Sequence, residues 1–187
     1  MADDRSFEEV WDERLIGMKM FFGEPDNTVL HGTIPFYLGQ DMGGSPDVVT
    51  FSKFTDGILY VTSELIGYEE QVPNSRGQYE LAIIHPHNEE WGVNIICQLA
   101  YYTIENPIED LETMDIGPAT PDDSTIEGFL FRRIAEFPFF DDFANVICCV
   151  GITKEELKFK HDFGSEVLVD RIGKDFYLTD LYRNSFI

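Results

Sequence analysis

The run His85-Pro86-His87-Asn88-Glu89-Glu90 gathers two imidazoles and two carboxylates into six residues, the donor types that hold a transition metal. The order is not HExxH, the proline stiffens the segment and no distant third ligand completes a set. It therefore reads as a strand-to-helix loop with acidic residues at a helix start. The second candidate is Thr62-Ser63, a hydroxyl pair where the apolar run Ile58-Leu59-Tyr60-Val61 stops. A serine nucleophile needs a glycine-flanked elbow, a histidine base and an oxyanion hole, whereas Ser63 sits between Thr62 and Glu64 and no GxSxG occurs. The pair predicts a turn or cap in which the hydroxyls satisfy backbone groups freed at the strand end.

Carboxylates are too abundant for any pair to stand out as general acid and base. Asp122-Asp123 and Asp141-Asp142 are the adjacencies that such a composition produces. The sequence contains no GxGxxG, no GxxxxGK[ST] and no EF-hand loop, and the glycine-rich Gly39-Gln40-Asp41-Met42-Gly43-Gly44 lacks the helix start and basic group of a phosphate cradle. Cys97, Cys148 and Cys149 are odd in number and lie among apolar neighbours, as buried core residues do. No catalytic residue, metal site or cofactor is expected.

Charge is the strongest compositional signal. Against 35 Asp and Glu stand 13 Lys and Arg, a net charge of −22. Such a surface repels phosphate backbones and anionic lipid, and steers a basic protein toward itself. Solubility or adaptation to high salt explains the same number. Seven carboxylates, Glu105, Glu109, Asp110, Glu112, Asp115, Asp122 and Asp123, fall between residues 105 and 123 without a Lys or Arg. They are the candidate partner-binding residues, and 105–127, with Pro107, Pro118 and Pro121, is expected to be an exposed acidic loop.

The elements that must position these groups follow from periodicity. Phe7, Val10, Trp11, Leu15, Met18 and Phe22 recur at helical spacing behind a Ser6 cap with Glu9 three positions on, until Gly23 and Pro25 end the helix. Strand material follows: Val29 to Tyr37, Val48-Val49-Thr50-Phe51, Ile58 to Thr62, and Tyr79 to Ile84 as the clearest buried strand, separated by glycine and proline turns. Trp91, Ile95, Leu99 and Tyr102 predict a helix over about 91–105, stopped at Pro107. Strands are expected again at about 128–133 and 144–152. A last helix should open at the capping box Thr153-Lys154-Glu155-Glu156. The plan is a single α+β (mixed α/β) domain over 1–187, with a central mixed, largely antiparallel sheet flanked by helices. No apolar run is long enough to span a membrane, and the N-terminus lacks the basic-then-apolar order of a secretory signal, so a cytoplasmic protein is expected.

The stretch "TDGILYVTSELIGYEEQVPNSRGQYELAIIHPHNEEWGVNIICQLAYY" resembles the core of the suppressor of fused-like domain. The resemblance is carried by Tyr60-Val61-Thr62-Ser63, by Gly77-Gln78-Tyr79-Glu80-Leu81, by His85-Pro86 and Trp91, and by Gln98-Leu99-Ala100-Tyr101-Tyr102. The tail "VGITKEELKFKHDFGSEVLVDRI" and the N-terminal "FFGEP" extend it over about residues 7–175. Glu64-Leu65 departs from the glycine-led turn commoner there, and the acidic segment matches no motif of the family.

The resemblance implies a mixed sheet covered by helices and an activity of binding. Large animal members of that family sequester a transcription factor by adding a peptide strand between two domains. Small bacterial members are similar to immunity proteins that neutralise polymorphic toxins. This chain has room for one such domain, so the resemblance implies a non-enzymatic immunity-type protein that binds a toxin, and the net charge of −22 makes a basic toxin domain the expected partner. The alternatives are a general interaction or regulatory module and a hydrolase. The hydrolase would need a pocket of polar groups with strongly perturbed titration, the module an exposed apolar or edge-strand surface.

Overall fold

The computed structural model describes residues 5–36 and 44–187, so the glycine-rich run at 39–43 lies outside the described residues. Seven strands form one sheet in the order β1-β2-β3-β4-β7-β6-β5. They are β1 (Val29–Leu30), β2 (Val48–Phe51), β3 (Ile58–Thr62), β4 (Gln78–His85), β5 (Thr113–Asp115), β6 (Ile126–Phe139) and β7 (Asp142–Thr153). Every pairing is antiparallel except β4 with β7, which is parallel. The parallel pair needs a long crossover, and α2 (Glu90–Glu105) lies within it.

The alternation of β4 sorts the core. Tyr79, Leu81 and Ile83 face one side with Ile96, Leu99 and Ala100 of α2. Ala82 and Ile84 face the other with Met18 and Phe22 of α1 (Phe7–Phe22) and Leu168 and Ile172 of α4 (Ser165–Ile172). Both sheet faces are therefore covered by helices, and β4 is the central strand, as its apolar run predicts. Glu80 is the exception: it belongs to the α1 face and is completely buried.

Three expectations need correction. Of the strand expected over 29–37, Tyr37 lies outside the described residues and Val29–Leu30 is strand; past Gly32, where a Cβ would lie 2.4 Å from the Ser45 carbonyl oxygen, Pro35 makes an isolated parallel bridge with Ser45. The hairpin β6–β7 is longer than expected at both its facing ends, and it runs through Pro138. Pro138 lies opposite Phe143, one pair beyond the hairpin-closing pair Phe139–Asp142, where an N–H would point away from β7. β5 covers only Gly128 to Leu130 on that side, so the ladder loses nothing. The single C-terminal helix is two, α3 (Lys154–Phe163) and α4, broken at Gly164 with φ +93°.

Beyond α4 the chain returns through the sheet. β4 and β7 diverge after Ala82–Cys148, and Leu178-Thr179 fills the gap: Thr179 N–H donates to Ile84, its hydroxyl donates to the Cys149 carbonyl, and it accepts from Gly151 N–H. Arg183 then pairs with buried Glu156, the capping-box residue of α3, at 2.8 Å through Nη1 and Oε1. The tail is thereby tied to both halves of the sheet.

Candidate functional site

The hydroxyl pair that ends β3 does two different things. Thr62 Oγ1 accepts from Leu81 N–H at 2.9 Å and donates to Oε2 of Glu80 at 2.6 Å, so its side chain continues the β3–β4 ladder past Val61–Ala82. Ser63 is held by its backbone, N–H to the Asp47 carbonyl at 2.9 Å, while its buried Oγ has no hydrogen-bond partner among the described residues. A turn function is what the sequence predicts, and the threonine carries its side-chain part.

Glu80 organises the turn. Its carboxylate accepts from Leu65 N–H and, at 2.9 Å, from Ile66 N–H, and Arg14 of α1 reaches it at 3.4 Å. Both side chains are withdrawn from solvent, with 2% of Arg14 and none of Glu80 exposed. Burial pushes the Glu80 carboxyl up to about 7, against the opposing pull of Arg14, Thr62 and the two N–H groups. The sequence pattern treats 79–84 as one buried apolar strand and misses this group. The glutamate inside an otherwise apolar run is the available signal. Within Tyr79-Glu80-Leu81 the three side chains act separately. The Tyr79 hydroxyl accepts from Ile108 N–H at 2.8 Å, Glu80 holds the turn and Leu81 fills the α2 side.

The imidazole of His85 is structural. It is buried, its Nδ1 lies 2.7 Å from the Thr179 carbonyl, and its ring meets Trp91 edge-on. Its Nε2 has no partner among the described residues and lies where a side chain on Gly92 would be, 2.0 Å from the Cβ position, so α2 approaches β4 through a residue that has none. Burial holds its pKa below the ordinary value. No group of three metal-ligating side chains occurs among the described residues. All three cysteines are buried thiols, and burial pushes Cys148 up to about 12 and Cys149 upward too.

The acidic segment is more structured than a loop. It holds β5 and a 3-10 turn, Gly117–Ala119, pinned by Trp91 Nε1–H donating to the Ala119 carbonyl at 2.8 Å. Four of the seven carboxylates are engaged. Glu109 accepts from the N–H and hydroxyl of Ser75, both at 2.7 Å, and Asp110 accepts from Arg133 N–H at 2.9 Å beside a β6 bulge. Glu112 and Asp115 accept from Glu109 N–H and Gly117 N–H. Glu105, Asp122 and Asp123 are exposed, and their side chains make no hydrogen bond or ion pair among the described residues. β5, in the same segment, is the last strand of the sheet. In its antiparallel pairing with β6, alternate residues Thr113 and Asp115 turn their backbone groups outward.

A mixed sheet covered by helices on both faces, with a buried carboxylate at the turn after β3, defines an α+β domain. The family profile described as "Suppressor of fused protein (SUFU)" matches residues 45–184, and the chain belongs to that family. Among solved structures, a chain of the Sufu-Fu complex aligns with a TM-score of 0.73 at 12% identity, covering 95% of this chain and 92% of that one. A putative suppressor of fused homolog from Neisseria gonorrhoeae aligns at 0.68 and 18% identity, with 96% and 98% covered. Drosophila Suppressor of Fused aligns at 0.70 and 12% identity over 92% of this chain and 50% of its own. A search of curated proteins found no match. No helix among the described residues is long and apolar enough to cross a membrane.

Proposed function

We propose that this chain is a non-enzymatic protein-binding domain of immunity type that neutralises a cognate toxin by direct contact. The observation that carries it is the β5 edge, whose outward backbone at Thr113 and Asp115 lies in the same segment as the unengaged carboxylates Glu105, Asp122 and Asp123. An edge strand offers main-chain pairing to a partner, and the carboxylates select a basic one. The net charge of −22 raises the encounter rate with such a partner. The experiment is co-expression with the product of a neighbouring toxin gene in a bacterial host. Protection of growth, with a stoichiometric complex recovered, is the expected result; unprotected growth with no complex overturns the immunity reading.

A second reading is a regulatory interaction module with no toxin partner. It is favoured by the presence of the Sufu-Fu complex among the structural neighbours. A complex formed with a host protein in the absence of any toxin gene distinguishes it.

A further inference from the structure

The charge of −22 is unevenly spread. Over α3 and α4, residues 154–174, five Lys and Arg balance five Asp and Glu, so the rest of the chain carries all of it. One of those five carboxylates, Glu156, is buried against Arg183, so the charge that α3 and α4 show to solvent is not negative.

Two apolar side chains stand out at the corner between these helices. Phe163, the last residue of α3, is 61% exposed, and Val167, in the first turn of α4, is 47% exposed. The Phe163 ring stacks on Phe159 at 4.6 Å, and Phe159 packs on the core, which fixes the exposed ring in place. Between them Gly164 turns at φ +93° with nothing within 4 Å of a Cβ position, so no described residue covers the turn. The same two helices carry free charges of both signs. Lys158, Lys160 and Arg171, and likewise Glu155, Asp162 and Glu166, make no side-chain hydrogen bond or ion pair among the described residues.

Exposed apolar groups elsewhere keep acidic company. Ile16 and Met20 of α1 have Asp12, Glu13 and Glu24 within one helical turn, and the only cation at that surface, Lys19, is held by Glu24 at 2.9 Å. Phe143 follows Asp141 and Asp142. A two-fold contact sets a surface patch against itself, so a patch of one sign repels its copy while a patch with equal numbers of both signs can pair them. On this molecule the α3–α4 corner is therefore an exposed apolar surface that a second copy approaches without local repulsion.

We propose that the chain self-associates through this corner. Phe163 and Val167 of one copy pack on the same residues of a second, and the free cations of each copy face the free carboxylates of the other. Two exposed apolar side chains per copy fall well short of the roughly 800 Å² per partner of a standard interface, so the dimer is weak and reversible. It uses no residue of β5 and does not depend on the toxin-binding reading.

Sedimentation equilibrium of the full chain, at low and at high sodium chloride, tests the proposal. Between about 0.01 M and about 1 M salt the screening length falls from about 30 Å to about 3 Å, which removes the long-range repulsion between two acidic molecules and leaves the apolar contact. Association should therefore strengthen with salt. Phe163→Glu with Val167→Glu should weaken it about tenfold or more at high salt, because the contact would then bury unpaired charge. Phe163→Ser with Val167→Ser, which adds no charge, should weaken it as well, and both variants should melt close to the parent because the replaced side chains are at the surface. Ile16→Glu with Met20→Glu adds the same charge on α1 and should leave the dimer as it is. A chain that is monomeric at both salt concentrations, association that weakens with salt, or equal weakening by the α1 variant overturns the assignment.

Discussion

The Thr62 hydroxyl lies 2.6 Å from Oε2 of Glu80 and 2.9 Å from the amide nitrogen of Leu81, so one β-branched side chain serves both the central strand and its buried carboxylate. The two bonds require a defined direction: the hydroxyl accepts from the amide and donates to the carboxylate. Valine at position 62 keeps the shape and removes both. Thr62→Val should cost about 1–3 kcal/mol, the range for a buried polar group stripped of its partner. Ser63→Ala removes an oxygen without a hydrogen-bond partner and should change stability by less than about 0.5 kcal/mol. Urea denaturation of both variants decides the matter; equal losses would show that the two hydroxyls share the work.

Glu80 gives the fold a pH dependence of unusual sign for a carboxylate. Its folded value, about 7, lies above the ordinary 4.5, so between these values the folded state binds more protons than the unfolded one. Stability from this group is therefore fully present below about pH 4.5 and declines as pH rises toward 7. The gap corresponds to on the order of 3 kcal/mol, from about 1.4 kcal/mol per pH unit. Glu80→Gln keeps an acceptor for Leu65 and Ile66 and removes the titration. Its melting temperature relative to the parent should rise from pH 5 to about pH 7 and level off above it; a difference that does not vary with pH would show that Glu80 keeps an ordinary value.

Glu156 works in the opposite direction. Burial alone would raise its carboxyl, but the Arg183 guanidinium and the N–H groups of Phe186 and Thr153 outweigh burial and hold it below 4.5. Its contribution is present above pH 4.5 and is lost as pH falls through the lower folded value. Arg183→Ala leaves a buried carboxylate without its cation and should cost about 3–5 kcal/mol at pH 7. The loss should shrink in acid. Chemical denaturation at pH 7 and pH 3.5 measures both; an equal loss at the two values would assign Arg183 to packing on Phe176 and Phe186 instead.

The strands were legible where apolar runs were dense, as at Ile58 to Thr62 and Tyr79 to Ile84, and the helices where caps and periodicity agreed, as at Ser6 and Thr153. Three features were not. Pro138 reads as a breaker until the open side of β6 is known, Gly164 divides a helix whose apolar stripe runs on, and the returning tail depends on a gap between parallel strands that pattern does not show. At the site, residue type marked Thr62-Ser63 as a pair but could not say that Glu80, 18 residues away, would take the threonine hydroxyl.

The seven carboxylates expected to act alike should divide into two groups. Glu109 and Asp110 hold the Ser75 turn and the Arg133 bulge, so Glu109→Ala or Asp110→Ala should destabilise by about 1–2 kcal/mol, since each leaves amide donors without their carboxylate acceptor. Glu105, Asp122 and Asp123 have no such duty, and their joint replacement by Gln, Asn and Asn should leave the melting temperature within about 1–2 °C. Binding should show the reverse pattern. Exposed charges add little affinity singly but together raise the encounter rate, so the triple variant should associate more slowly with a basic partner while its dissociation rate stays close to the parent's. The parent's association rate should fall steeply from 0.01 M to 0.15 M salt, as the screening length drops from about 30 Å to about 8 Å, and the triple variant's more gently. Stopped-flow association at the two salt concentrations checks the prediction. Identical salt slopes for parent and variant would confine these three residues to solubility.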